Sequence, residues 1–291
     1  MNYKKYKELY SKDASGNIRV WWIESDKTRY RMHHGVHGGK IVISDWVNAE
    51  QKNIGKTNET SLAIQVEREV ESKYKKQLKT GHTDNLSKID EIEYQEPMRA
   101  KKYVDYKDKI DLTRGTWGLQ IKFNGVRCTI TKDGAKSRTG ETWMTIPHIN
   151  ASLIPFFEKH PDAVLDGELF NYDLRENLNE LISTVRKTKN ITDEILKTSE
   201  QIVKFYIYDG HDFASLDQTE DYEVRKKWID DNIKGYKYIE HVETFRITSQ
   251  SELDEKYASF IDEGHEGGML RNLKSEYQYK RTKDLLKIKP E

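Results

Sequence analysis

The stretch Leu119-Gln120-Ile121-Lys122-Phe123-Asn124-Gly125-Val126-Arg127 decides how the rest of the chain is read. A single lysine closes a short apolar, strand-like run. A polar turn with Gly125 follows, and then an arginine. Asn124-Gly125 predicts a hairpin turn, with Trp117–Lys122 and Val126–Thr131 as its paired strands. The arrangement suits covalent catalysis by a lysine amine. The strand fixes the amine, the glycine lets a ligand approach the backbone, and Arg127 supplies fixed positive charge.

Composition sets the frame. The chain has 291 residues, room for two domains, with 35% hydrophobic and 34% charged residues. Aromatic residues reach 11%, which argues against disorder. Cys128 is the single cysteine, so an internal disulfide is excluded. The N-terminus is too polar for a signal peptide, and no apolar run reaches membrane-spanning length. These features predict a cytoplasmic protein with no membrane partner. Net charge is zero, but residues 1–80 hold 16 Lys+Arg against 10 Asp+Glu. That basic first third suggests a part that helps to hold a polyanion.

Upstream of the key stretch, Ile18–Ile23, Tyr30–Gly35 and Lys40–Val47 read as strands. An amphipathic helix is expected from about Thr60 to Lys79. Leu62, Val66, Val70, Tyr74 and Leu78 recur every four residues, and Arg68, Lys73, Lys75, Lys76 and Lys79 lie on the other face. Residues 83–96 are polar and aperiodic and read as a linker. His33, His34 and His37 lack the accompanying cysteines or acids of a metal site.

Downstream, strands and helices alternate. Ala135–Arg138, Ala163–Phe170, Val203–Tyr208, Gly267–Arg271 and Leu285–Lys289 read as strands. Helices are expected over Asn150–Lys159, capped by Asn150, and over Thr192–Gln201, Asp221–Asn232 and Ser249–Glu263. The fold class is α+β, built on antiparallel sheets flanked by helices.

Lys122-x-Asn-Gly-x-Arg127 resembles the Lys-x-Asp-Gly-x-Arg nucleophile motif of covalent nucleotidyltransferases, the superfamily of ATP-dependent DNA ligases, RNA ligases and capping enzymes. Five further stretches match that family's motifs in order: Ser137-Arg138-Thr139-Gly140, Asp166-Gly167-Glu168-Leu169, Phe205-Tyr206-Ile207-Tyr208-Asp209, Glu266-Gly267-Gly268-Met269 and Leu285-Leu286-Lys287-Ile288-Lys289. Pro97-Met98-Arg99-Ala100 is similar to the entry of a ligase adenylation domain. Together they resemble an ATP-dependent DNA ligase of phage type.

The resemblance implies a nucleotidyltransferase, ATP-grasp-like adenylation fold over 97–291. It makes Lys122 the catalytic nucleophile that carries AMP. ATP-binding residues would be Gln120, Ile121, Lys122, Arg127, Glu168, Tyr208, Glu266, Lys287 and Lys289. Tyr208 would stack on adenine, and Glu168 and Glu266 would lie at a magnesium ion. Arg138 would engage DNA phosphate. AMP would pass to the 5′-phosphate of nicked double-stranded DNA, and the 3′-hydroxyl would seal the break.

Residues 7–82 resemble a WGR domain, which implies a DNA-gripping unit over 1–82, with Lys73 and Lys76 on phosphate and aromatic side chains on bases. The family's mode of action implies a monomer. Asn124 stands where the family carries aspartate, removing a negative charge beside the nucleophile. Gln120 stands where many relatives carry glutamate. The chain also stops at Glu291, where relatives continue into an OB-fold. The alternatives are an RNA ligase, a capping-type enzyme, or a non-catalytic nick-binding module.

Overall fold

The computed structural model describes residues 3–13, 16–78, 81–90, 95–212 and 220–290. The chain divides into two compact units, Met1–Gln95 and Glu96–Glu291. In the first, β1 (Lys4–Lys5), β2 (Leu9–Lys12), β3 (Ile18–Ser25), β4 (Arg29–Val36), β5 (Ile41–Ile43) and β6 (Val47–Asn48) form an antiparallel sheet. The strand expected over 40–47 is split. Ser44 leaves the β5 register to exchange hydrogen bonds with the Met32 backbone, its hydroxyl accepting from Met32 N at 3.0 Å.

One face of that sheet packs on α1 (Leu62–Leu78) through Leu9, Trp21, Ile23, Tyr30, Val66 and Val70. The expected apolar stripe is only half right. Val66 and Val70 are buried, whereas Leu62 and Leu78 are 37% and 46% exposed. A four-residue step overshoots one helical turn by ~40°, so a stripe of four steps swings its ends ~80° to either side of Val70. Lys79 lies outside the described residues. Thr83, the start of the polar stretch read as a linker, exchanges backbone hydrogen bonds with Tyr10 at 2.8 Å in both directions. Asn85 then caps a short 3₁₀ turn over Leu86–Lys88.

The second unit begins with β7 (Arg99–Lys102), β8 (Trp117–Lys122), β9 (Val126–Thr131) and β10 (Gly134–Lys136). Helices α2 (Pro147–Ser152) and α3 (Ile154–Lys159) lead to β11 (Ala163–Phe170). Then come α4 (Asn179–Val185), α5 (Asp193–Ile202), β12 (Lys204–Asp212), α6 (Tyr222–Asn232), β13 (Ile239–His241) and β14 (Phe245–Ile247). Helix α7 (Gln250–Asp262) and strands β15 (Gly267–Asn272) and β16 (Arg281–Ile288) complete it. No helix among the described residues is long and apolar enough to cross a membrane.

Two five-stranded sheets result, in the orders β10-β9-β11-β12-β13 and β14-β8-β15-β16-β7. Each departs from the expected antiparallel pattern at one edge, because β12–β13 and β16–β7 are parallel. Helix α6 provides the crossover that the first of these pairs requires. The first sheet buries Cys128, Ile130, Leu165, Phe205 and Ile207 against Ile149, Phe156, Leu181 and Val185 of the helices. The second packs Leu119, Leu270 and Leu286 against Leu253 and Phe260 of α7. Ile121 touches both cores.

The hairpin expectation is overturned. β8 pairs with β14 and β15, while β9 pairs with β10 and β11, so the chain crosses between sheets at Phe123–Gly125. A two-residue Asn-Gly hairpin needs positive φ at both positions. Neither Asn124 nor Gly125 has it. The helix expected over 150–159 is likewise two helices, and Asn150 lies inside α2 rather than at a cap. Pro155 has no N–H to give to an earlier carbonyl, so α2 stops and α3 restarts around it.

Candidate active site

Lys122 is the last residue of β8, and the turn after it is held against β11. A Cβ on Gly125 would stand 2.4 Å from the Leu169 carbonyl oxygen and 2.8 Å from Glu168 Cγ. Only glycine allows that approach, which brings Glu168 beside the nucleophile candidate. Between the two sheets lies a cavity of about 230 Å³. Gln120, Ile121, Lys122, Arg271 and Lys287 line it from the second sheet, and Arg127, Glu168 and Tyr208 from the first. Arg99, Arg138 and Arg281 complete a strongly cationic rim.

The charges divide into satisfied and waiting groups. Lys122 Nζ and Lys289 Nζ both donate to the Glu266 carboxylate. Burial opposes the Glu266 charge, but those two hydrogen bonds prevail and hold its carboxyl below the usual range. Glu168 has no such support. Burial is the largest influence on it and raises it to about 7, against the opposing pull of Arg127 and Lys122. Lys287 is lowered by burial, and then by Lys289, Arg281, Lys122 and Lys102. Like charges converging in this way favour a bound polyanion. Arg138 is exposed and makes no ion pair among the described residues.

The far wall is a buried polar lattice. Arg127 makes a two-pronged ion pair with Asp166 at 2.7 and 2.6 Å and donates to the Met98 carbonyl. Tyr277 donates to the same carboxylate at 2.7 Å. The Arg127 guanidinium lies 5.1 Å from the centre of the Tyr208 ring. Asp166 pairs with Asp209 and Gly167 with Ile207, so Tyr208 is the extra residue of a β-bulge. Bulges re-aim side chains in this way beside functional sites. Asp209, fully buried, is held by Arg225 at 2.9 and 3.1 Å and by Arg271. Those ion pairs keep its carboxyl below its ordinary value although burial pushes the other way.

The cavity therefore gathers Gln120, Ile121, Lys122, Arg127, Arg138, Glu168, Tyr208 and Lys287, and Glu266 and Lys289 join it through Lys122. Two of these residues also have partners outside the cavity. Arg127 is neutralised by Asp166, so it braces Tyr208 more than it supplies free charge. The Ile121 side chain belongs to the two cores. Asn124 is exposed and outside the cavity lining. Lys73 and Lys76 lie on α1 of the first unit, with Lys73 Nζ 5.4 Å from the Tyr30 ring centre.

Sequence reading missed Asp209, Arg225, Arg271, Tyr222 and Tyr277. Asp209 is the last residue of a quoted motif and Arg271 stands two residues beyond another, and a charge at the end of an apolar strand was the available signal. For magnesium, the described residues hold no group of three or more ligand-type side chains. Glu168 and Glu266 fit magnesium only in its sparse mode, one or two carboxylates with substrate phosphates filling the shell.

Known proteins similar to this chain are DNA ligases. Residues 97–289, two thirds of the chain, match the family described as ATP dependent DNA ligase domain. A DNA ligase of African swine fever virus (isolate Tick/South Africa/Pretoriuskop Pr4/1996) is 28% identical over 257 residues, 84% of this chain and 56% of that protein. A DNA ligase of Thermococcus fumicolans is 25% identical over 217 residues, 67% of this chain and 36% of that protein. The chain thus spans just over half the length of the viral relative. Its fold is similar to that of the ATP-dependent DNA ligase from bacteriophage T7 in complex with ATP, with a TM-score of 0.53 and 19% identity, over 67% of this chain and 69% of that one. On the match over residues 97–289, the chain belongs to the ATP-dependent DNA ligase domain family.

Proposed function

We propose that this chain carries out the nucleotidyl-transfer chemistry of an ATP-dependent DNA ligase, with Lys122 as the residue that becomes linked to AMP. The observation that carries the reading is the Lys122 amine, held in a cavity with a cationic rim, a half-buried aromatic ring and a protonatable carboxyl. A lysine amine is protonated at neutral pH and must lose a proton to attack. Glu266 Oε2, already hydrogen-bonded to Nζ, is in place to take it.

Nζ then forms a bond to the α-phosphorus of ATP, and the bond to pyrophosphate breaks with its electron pair leaving on pyrophosphate. Lys287, Arg138 and Arg281 favour the charge on the phosphates. Tyr208, backed by Arg127, offers its ring to the base. A magnesium ion held by Glu168 and Glu266 would withdraw charge from the phosphate oxygens.

AMP then passes to the 5′-phosphate at a nick in duplex DNA, where the 3′-hydroxyl displaces it. The basic first unit is read as a WGR-like grip on DNA phosphates through Lys73 and Lys76, in a monomeric, cytoplasmic protein of phage type. The test is the mass of the intact protein after incubation with ATP and magnesium. The expected result is a gain of one AMP, absent from Lys122→Ala. No adduct under any nucleotide and divalent-ion condition refutes the reading.

A further inference from the structure

The outer edge of the second sheet sets two lysines side by side. Lys287 on β16 and Lys102 on β7 are register partners, so their side chains leave the same face one strand spacing (~4.8 Å) apart. Like charges set opposite each other destabilise a sheet. Neither amine meets a carboxylate among the described residues, whereas Lys122 and Lys289 share Glu266.

A different register would have avoided this. The β7–β16 pairing shifts between Thr282 and Leu286. Thr282 is opposite Ala100, so an unbroken ladder would carry Asp284 to Lys102 and make an ion pair. The shift brings Lys287 there instead. Asp284 turns to neutral donors, accepting from Asn272 Nδ2 at 2.9 Å, Gln278 Nε2 at 2.8 Å and Thr282 Oγ1 at 3.0 Å. An available ion pair is thus replaced by a repulsive one. Irregularities of this kind re-aim side chains beside functional sites.

The row that these lysines end begins in the cavity. Gln120, Met269, Lys287 and Lys102 are successive register neighbours across β8, β15, β16 and β7. Lys102 therefore stands beyond Lys287 on the side away from Lys122. Gly267, the register partner of Lys122, places no side chain between that amine and β16. An in-line displacement sends the leaving group away from the attacking atom. With Lys122 Nζ attacking and Lys287 on the phosphates, the leaving group departs across β16 toward β7.

We infer that Lys102, paired with Lys287, binds the β- and γ-phosphates of the nucleotide and the pyrophosphate that they become. The inference rests on the reading of Lys122 as the group that takes AMP. As Nζ bonds to the α-phosphorus, the bond from phosphorus to the bridging oxygen breaks and its electron pair stays on pyrophosphate. The new charge arises where two amines face each other without a counter-charge, so the anion relieves their repulsion as they stabilise it. Lys102 is exposed, which leaves pyrophosphate an open way to solvent.

The experiment measures binding of ATP and of AMP to the Lys122→Ala chain, with and without Lys102→Ala. The expected result is about tenfold weaker ATP binding with AMP binding unchanged, and recovery in Lys102→Arg. In the chain that keeps Lys122, Lys102→Ala raises by about the same factor the pyrophosphate concentration that removes AMP from the adduct. Without nucleotide, Lys102→Ala melts no lower than the native chain, because it removes a repulsion.

An equal loss for ATP and AMP, no loss for either, or no recovery in Lys102→Arg overturns the inference. So does an equal ATP loss in Lys107→Ala, an exposed cation of the following turn, since general surface charge would then suffice. A selective ATP loss on a chain that forms no AMP adduct refutes the covalent reading and leaves the phosphate site standing. Failure of ATP to bind at all refutes both.

Discussion

Glu168 carries a carboxyl that titrates near 7, because the pocket wall strips it of water and gives it no hydrogen-bonded cation. In the unfolded chain the same group ionises near ~4.3. Between those values the fold retains a proton that the unfolded chain has released, so stability falls as pH rises through the window and levels off above 7. Full burial would make this ~3 kcal/mol, and the half-open pocket screens it to about 1 kcal/mol. Denaturant titrations at pH 5 and pH 8 on the native chain and Glu168→Gln should differ by that amount, with the variant gaining at pH 8. A variant with the same pH dependence as the native chain contradicts the assignment. Glu266, its neighbour, moves the opposite way because two lysines donate to it. Two glutamates of one cavity are thereby given different protonation habits by their partners alone.

At the scale of elements, the turn after Lys122 is the most constrained piece of backbone in the site. Gly125→Ala would drive a methyl to 2.4 Å from the Leu169 oxygen. The expected cost is about 2 kcal/mol or more, seen as a lower urea midpoint with an unchanged slope. Helix α1 makes a different claim. If the half-buried Lys73 and the exposed Lys76 meet DNA phosphates, Lys73→Ala and Lys76→Ala each lower the slope of log affinity against log salt by about 1, without altering sequence preference. An unchanged slope removes α1 from the DNA surface.

Motif order was legible because it is local. Lys122, Glu168, Tyr208 and Lys287 can be named from short strings, and the cavity gathers them. Strand partners were not legible. Asn124-Gly125 looks like a hairpin in any window, and only the contact of Gly125 with β11 shows that β8 and β9 belong to different sheets. The four-residue stripe of α1 failed for a geometric reason, since a period of four drifts off a period of 3.6.

At the scale of the second unit, the two sheets are tied by buried charge as well as by apolar packing. Asp209 comes from β12 of one sheet, Arg271 from β15 of the other, and Arg225 from α6. Their pairing was invisible in the sequence because the partners lie 16 and 62 positions from Asp209. Asp209→Asn leaves two buried guanidinium groups without their carboxylate, and the expected loss of stability is about 3–5 kcal/mol by denaturant unfolding. A loss below about 1 kcal/mol means that water reaches this site.

The crossing at Phe123–Gly125 also changes what sets the reach of the Lys122 amine. Lys122 travels with one sheet, and the Tyr208 ring and Glu168 travel with the other. The spacing between that amine and the Tyr208 ring is therefore set by the packing of the two sheets, with the turn and the Asp209 ion pairs as links between them. A small change in that packing would separate amine and ring while leaving every rotamer in place.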